Sequence, residues 1–148
     1  MAAADLGHKV IVTEPTTWLG GQMTSQLVPP DEHPWIESFG CTRRYRALRT
    51  AIRNWYRKHE GLTQPAYDDP ELNPGGGWVS RLCHKPAISA AILKEAVESI
   101  ADVRYGWIPV AVKVDDEKVV GVEFQDSGGQ LHQISCEFVL DATETGDL

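Results

Sequence analysis

Val10, Ile11 and Val12 form a run of β-branched residues with no polar break. Continuous apolar runs of this kind predict a strand covered on both faces, here over residues 8–14. The preceding Ala2-Ala3-Ala4-Asp5-Leu6 reads as the last turns of a helix stopped by Gly7, because glycine readily takes the left-handed backbone that closes a helix. A helix of fewer than two turns is poor in isolation, so the chain reads as beginning inside a longer element. Over residues 45–59 the period changes. Tyr45, Leu48, Ile52, Trp55 and Tyr56 recur at helical spacing beside a basic stripe of Arg46, Arg49, Arg53 and Arg57. A second helix opens at Pro86, a residue suited to a first helical turn. Its expected buried stripe is Ile88, Ile92, Leu93, Ala96, Val97 and Ile100. Strands are predicted over residues 103–114, 118–125 and 131–140. Asp115-Asp116-Glu117 and Asp126-Ser127-Gly128-Gly129 supply the turns of an antiparallel meander. Residues 15–34 are irregular, broken by Gly20-Gly21 and Pro29-Pro30. Residues 61–79 form a long loop of the functional or mobile kind, with Pro65, Pro70, Pro74 and Gly75-Gly76-Gly77.

Composition narrows the class. With 42% hydrophobic and 24% charged residues over 148 positions, the chain can build a core and is not disordered. No run of 18 apolar residues marks a membrane span. A net charge of −7 argues against nucleic acid as a partner. Cys41, Cys83 and Cys136 are odd in number and far apart, which points away from a disulfide framework and toward a reducing, cytoplasmic setting. Seven of the 14 basic residues fall between Arg43 and Lys58. The plain expectation for that cluster is a solvated helix face; the sharper one is a patch for an anionic ligand.

Glu14 closes the hydrophobic strand. In a dinucleotide-binding βαβ unit, a carboxylate there accepts hydrogen bonds from the adenosine ribose, about 20 residues after a glycine fingerprint. Six residues later, Trp18-Leu19-Gly20-Gly21-Gln22-Met23-Thr24 carries a glycine pair that lets backbone amides approach a phosphate or a ring. Other chemistry is weaker. Cys41, Cys83, His33, His59 and His84 show no CxxC or HxxxH spacing, so no metal site is expected. His84 reads as a polar histidine ahead of a helix rather than an acid–base group. No GxSxG, P-loop or HExxH is present.

Lys9-Val10-Ile11-Val12-Thr13-Glu14 followed by the glycine pair resembles the FAD-dependent oxidoreductases. Their FAD domain is of the glutathione-reductase/fumarate-reductase kind, and some relatives carry labels such as xanthan lyase. The resemblance continues through Ser38-Phe39-Gly40-Cys41-Thr42, Tyr45-Arg46-Ala47-Leu48-Arg49 and Pro109-Val110-Ala111-Val112. It closes on Phe138-Val139-Leu140-Asp141-Ala142-Thr143-Glu144-Thr145-Gly146-Asp147-Leu148. It implies an α/β fold: a partial Rossmann-like FAD-binding domain with a helical insertion and an antiparallel meander. Residues 1–14 would end a first βαβ unit, 15–102 would hold the glycine-pair loop and insertion, and 103–148 the meander and the Asp-Ala-Thr turn. Truncation at both ends is expected, with the glycine fingerprint before Met1. The implied cofactor is FAD, and the implied partner a small-molecule substrate. By resemblance Glu14 is the ribose acid. Gly20, Gly21, Gln22 and Thr24 run past the pyrophosphate toward the flavin. The backbone at Val110 meets the adenine, and Ala142, Thr143 and Glu144 form the turn back to the cofactor. No catalytic residue follows from it. The rival reading is a non-catalytic carbohydrate-binding module, with Trp35, Trp78 and Trp107 stacking on sugar rings.

Overall fold

A short helix, α1 (Ala2–Asp5), opens the chain and ends as the sequence predicts. Gly7 has φ +86°, its amide donates to Ala4 O at 3.0 Å, and the His8 amide donates to Ala3 O at 3.1 Å. This is the paired arrangement by which a left-handed residue closes a helix. The computed structural model describes residues 1–146 and Leu148. The end of the Asp-Ala-Thr motif at Asp147 lies outside the described residues. The chain divides into two units. The first comprises residues 1–17 and 101–148, the second residues 18–100.

In the first unit β1 (Ile11–Glu14) pairs in parallel with β2 (Asp102–Tyr105), Ile11 opposite Asp102 and Glu14 opposite Tyr105. The strand is shorter than predicted. All its residues are half-buried rather than enclosed on both faces. The strand expected over residues 103–114 is divided in two. Gly106 has φ +71° and turns the chain, so β2 stops and a separate strand, β3 (Ile108–Asp115), begins. Here the amides of Gly106 and Trp107 donate to Thr16 O and Glu14 O at 3.4 and 3.3 Å. β3, β4 (Lys118–Gln125) and β5 (Leu131–Ser135) form the expected antiparallel meander, with β4 central. Gly121, Val122 and Phe124 of β4 are its buried residues, and a Cβ at Gly121 would stand 2.7 Å from Ile134 O. β5 ends at Ser135, short of the predicted Leu140. Phe138 and Leu140 are exposed, and no strand among the described residues pairs with them.

The hairpin turns explain the meander. Asp116 and Glu117 both have positive φ, +44° and +64°, as a two-residue type I′ loop requires. Glutamate is strained there, whereas glycine is not. Glu117→Gly should therefore stabilise the protein by about 0.5–1 kcal/mol, the relief exceeding the extra chain entropy of glycine. A higher urea midpoint at unchanged m-value is the check; a lower midpoint would refute it. In the next turn, Asp126 Oδ1 accepts the amides of Gly128 and Gln130, both at 2.9 Å, and Oδ2 meets His132 Nε2 at 2.8 Å. Trp107 stacks on His132 with centroids 4.3 Å apart, and Arg104 lies over the indole.

The second unit holds α2 (Arg43–His59), α3 (Gln64–Asp68) and α4 (Pro86–Glu98). Thr42 caps α2, its hydroxyl accepting the Tyr45 amide at 3.2 Å. Ile52, Tyr56, Leu72, Leu82 and Ile88 form the core, flanked by Leu48, Trp55, Leu62, Ala66 and Ile92. Tyr56 of the α2 stripe is thus core material and Trp55 packs against it, as their spacing predicts, whereas Tyr45 lies outside this cluster. On α4 the buried side chains are Ile88, Ser89 and Ala90, while Ile92, Leu93, Ala96 and Val97, with Ile100 just past its end, are half-buried. The long loop contains α3 and is pinned by Asn73. Asn73 Nδ2 donates to Gly77 O and Ser80 O, each at 3.0 Å, and Oδ1 accepts the Cys83 amide at 2.6 Å. A Cβ at Gly75 or Gly77 would fall within 3 Å of Cys83, so this glycine run is set by packing. Among the described residues no helix is long and apolar enough to cross a membrane.

Candidate functional site

Glu14 is the last residue of β1. Its Oε1 accepts the Thr16 amide at 2.8 Å and the Thr16 hydroxyl at 2.7 Å. One carboxylate oxygen is thereby occupied and held, and Oε2 remains for a further donor. A carboxylate has about four acceptor positions, two per oxygen. Asp141 is arranged alike in the same unit. Its Oδ1 accepts the Thr143 amide at 2.9 Å and the Thr143 hydroxyl at 2.6 Å, and Oδ2 accepts the Leu148 amide at 3.3 Å. These bonds, that of the Thr143 hydroxyl foremost, hold the Asp141 carboxyl below its ordinary pKa. Ala142 and Glu144 are exposed beside it.

Val110 sits at an irregularity of the β3–β4 ladder. Pro109 faces Phe124 and Ala111 faces Glu123, so Val110 is an extra residue with no opposite partner. Pro109 has no amide hydrogen to give the ladder, which is where bulges form. Val110 thus stands at a bulge, and its side chain is exposed.

The glycine-pair segment belongs to the second unit. Gly20 has φ +113° and Gly21 φ +50°, and a 3-10 turn follows over Gly21–Met23. The amides of Gly21 and Gln22 open that turn and have no partner within it. Gln22 is exposed, but Thr24 is wholly buried, its hydroxyl donating to Gly21 O at 3.4 Å. A Cβ at Gly20 would lie 2.6 Å from Leu93 Cδ1 and 2.8 Å from Thr24 Cγ2. The smallness of Gly20 thus serves packing against α4, and the Thr24 side chain faces inward.

The basic stripe of α2 is not a solvated face. Arg49 and Arg53 are buried, and their counter-ions come from the irregular segment before the helix. Arg49 pairs with Glu32 and Glu37. Arg53 holds both oxygens of Glu37 at 3.0 and 2.6 Å and donates to Leu72 O at 2.9 Å. Arg46 donates to the carbonyls of Ile36 and Glu37, Arg57 to those of Tyr67 and Asp69, and Tyr45 to Glu32. Burial alone would raise the Glu37 pKa. The Arg53 hydrogen bond and the charges of Arg49 and Arg53 outweigh it and hold the carboxyl below its ordinary value. Burial, with Glu32 as acceptor, pushes the Tyr45 hydroxyl well up. The anion that this patch binds is the chain's own. Periodicity singled out the arginines but not Glu32 and Glu37, which lie in a loop without a repeat.

The remaining candidates separate clearly. His84 Nδ1 lies 3.0 Å from Leu82 O, and its Nε2 is buried without a partner. Cys41, Cys83 and Cys136 are free thiols. Among the described residues no group of His, Cys, Asp and Glu side chains is placed to hold a metal ion. Trp107 is engaged in the stack on His132, Trp78 is fully exposed, and Trp35 lies near-parallel to Phe39 with centroids 6.1 Å apart.

For FAD, the fit is uneven. In the first unit, Glu14 Oε2 is an acceptor with no protein donor among the described residues, and Val110 stands at a bulge with its side chain exposed. In the other, the glycine pair offers backbone amides but no Thr24 hydroxyl. No curated protein and no solved structure matches the chain. A family model described as FAD dependent oxidoreductase matches residues 1–148. The chain, a mixed α/β fold, belongs to the FAD-dependent oxidoreductase family.

Proposed function

We propose that this chain binds FAD through Glu14 and that the protein it forms oxidises or reduces a small-molecule substrate. The observation that carries the reading is the place of Glu14. It ends a parallel strand in a chain of this family, with one carboxylate oxygen fixed and the other able to accept. A ribose hydroxyl donating to that oxygen makes a charge-assisted bond, stronger than a neutral one. Within the second unit, the amides of Gly21 and Gln22 are the donors that the family resemblance assigns to a phosphate, and Gly20 and Thr24 shape that turn from within. The backbone at Val110 accepts or donates at the adenine edge. The turn at Ala142, Thr143 and Glu144 returns the chain to the cofactor. When bound, FAD supplies the redox chemistry; the protein binds, orients and tunes it. The rival reading as a sugar-binding module has less support, because Trp107 is engaged internally and neither unit is a β-sandwich.

The test is Glu14→Gln in the full-length protein, titrated with FAD by flavin fluorescence. Affinity should fall about 10- to 100-fold, the equivalent of roughly 1.4–2.8 kcal/mol for a hydrogen bond that loses its charge. Unchanged affinity in a folded variant would remove Glu14 from the site.

A further inference from the structure

We infer that Thr16 is the positioning residue for Glu14, and that the carboxylate reads the ribose through Oε2 alone. This rests on the FAD reading above and goes further in assigning the division of work between the two oxygens. Glutamate has three side-chain torsions, and left alone at a strand end its carboxylate samples many orientations. Here the Thr16 amide and hydroxyl approach the same oxygen, at 2.8 and 2.7 Å. Two donors fill the two acceptor positions of Oε1. The carboxylate plane is thereby fixed, and both remaining acceptor positions belong to Oε2.

The frame holding Thr16 is rigid for a separate reason. Thr16 O accepts the Gly106 amide and Glu14 O accepts the Trp107 amide, so the backbone on both sides of Pro15 is tied to the turn after β2. Pro15 itself fixes one torsion between the two residues. The same pattern, an acid with a threonine two residues on, recurs at Asp141 and Thr143 with the same pair of donors on one oxygen. There Oδ2 takes a backbone amide, that of Leu148. At Glu14 the corresponding oxygen is the one left for a ligand. Pre-ordering an acceptor in this way removes part of the ordering entropy from the binding step.

The consequence is specific. Both ribose hydroxyls must share one oxygen, or only one of them is read. Thr16→Val removes the hydroxyl while keeping the shape and the backbone amide; Thr16→Ser keeps the hydroxyl. The experiment measures dissociation constants of the full-length protein for FAD and for its 2′-deoxyadenosine analogue, by flavin fluorescence, in wild type, both Thr16 variants and Glu14→Gln. Thr16→Val should bind FAD about three- to tenfold more weakly, as expected for one lost hydrogen bond, and should narrow the gap between FAD and the analogue. Thr16→Ser should retain both the affinity and the gap. If Thr16→Val leaves the gap unchanged, Thr16 does not position Glu14. If it tightens FAD binding, Thr16 competes with the ribose for Glu14. Either result overturns the inference while leaving Glu14 in the site. If Glu14→Gln also leaves FAD affinity and the gap unchanged, the ribose reading falls and the inference with it.

Discussion

Glu37→Ala should destabilise the second unit by about 3–5 kcal/mol, the range for removing one partner from a buried ion cluster. Glu37 accepts from Arg49, holds Arg53 through both its oxygens, and lies 3.6 Å from Arg46. The Arg49 side chain is 1% exposed and that of Arg53 6%. Without Glu37, among the described residues Arg49 keeps Glu32 as its counter-ion and Arg53 keeps backbone carbonyls. A domain is stable by about 5–15 kcal/mol in total, so the loss removes a large part of the margin. Urea unfolding followed by tryptophan fluorescence measures it, since Trp55 packs edge-on against Tyr56 of the core. A shift below about 1 kcal/mol is the value for an exposed pair and would mean that the cluster is solvated.

The same cluster has a pH signature. The Glu37 pKa is depressed in the folded chain, so the folded state holds the carboxylate more strongly than the unfolded state does. Its contribution is complete above the ordinary carboxylate value of 4.5 and is lost as pH falls through the lower folded value. The wild type should therefore lose stability steeply below about pH 4.5, and Glu37→Ala should lose that part of the acid dependence. Replacing the whole cluster with apolar residues is a different experiment, because buried ion pairs often add little net stability over well-packed hydrophobes. What the cluster does here is tie residues 32–37 and 67–81 to α2, where neither segment has an apolar repeat of its own to dock with.

That distinction explains what the sequence could and could not reveal. The β4–β5 and β3–β4 hairpins were legible because their turns carry residues that fix backbone geometry, Asp126 through its side chain and Asp116-Glu117 through their place between β-branched runs. The place of Glu14 at a strand end was legible because an apolar run stops at it. The break at Gly106 was not, because one glycine inside a long apolar stretch carries no periodic signal, although it divides a parallel strand from a meander. Arg49 and Arg53 read as solvent-facing because charge on a helix face is usually hydrated. Their burial depends on two glutamates whose proximity arises only after the loop folds back on α2. Thr24 is the opposite case, a polar residue whose burial the sequence did not signal. A small polar residue beside paired glycines suggests a ligand contact, yet its hydroxyl stays on Gly21 O and its methyl packs near Gly20.

Gly20→Val should lower stability by about 2–5 kcal/mol, since a β-branched residue at positive φ is strained and the added atoms overfill a packed site. Gly20 has φ +113°. A Cβ there would stand 2.6 Å from Leu93 Cδ1, 2.8 Å from Thr24 Cγ2 and 3.1 Å from Thr24 Oγ1. Leu93 can rotate away, but Thr24 is wholly buried. Gly20→Ala should show a smaller effect of the same sign. Part of it should be recovered in the double variant with Leu93→Ala, which removes the nearest atom and couples the two positions. Unfolding of the FAD-free protein isolates this packing term from cofactor binding. If Gly20→Val leaves that unfolding unchanged but abolishes flavin uptake, Gly20 exists for the cofactor. If the FAD-free protein is destabilised and the Leu93→Ala background softens the loss, the glycine is there to let α4 approach the turn, and only the backbone amides of Gly21 and Gln22 remain as the segment's offering to a phosphate.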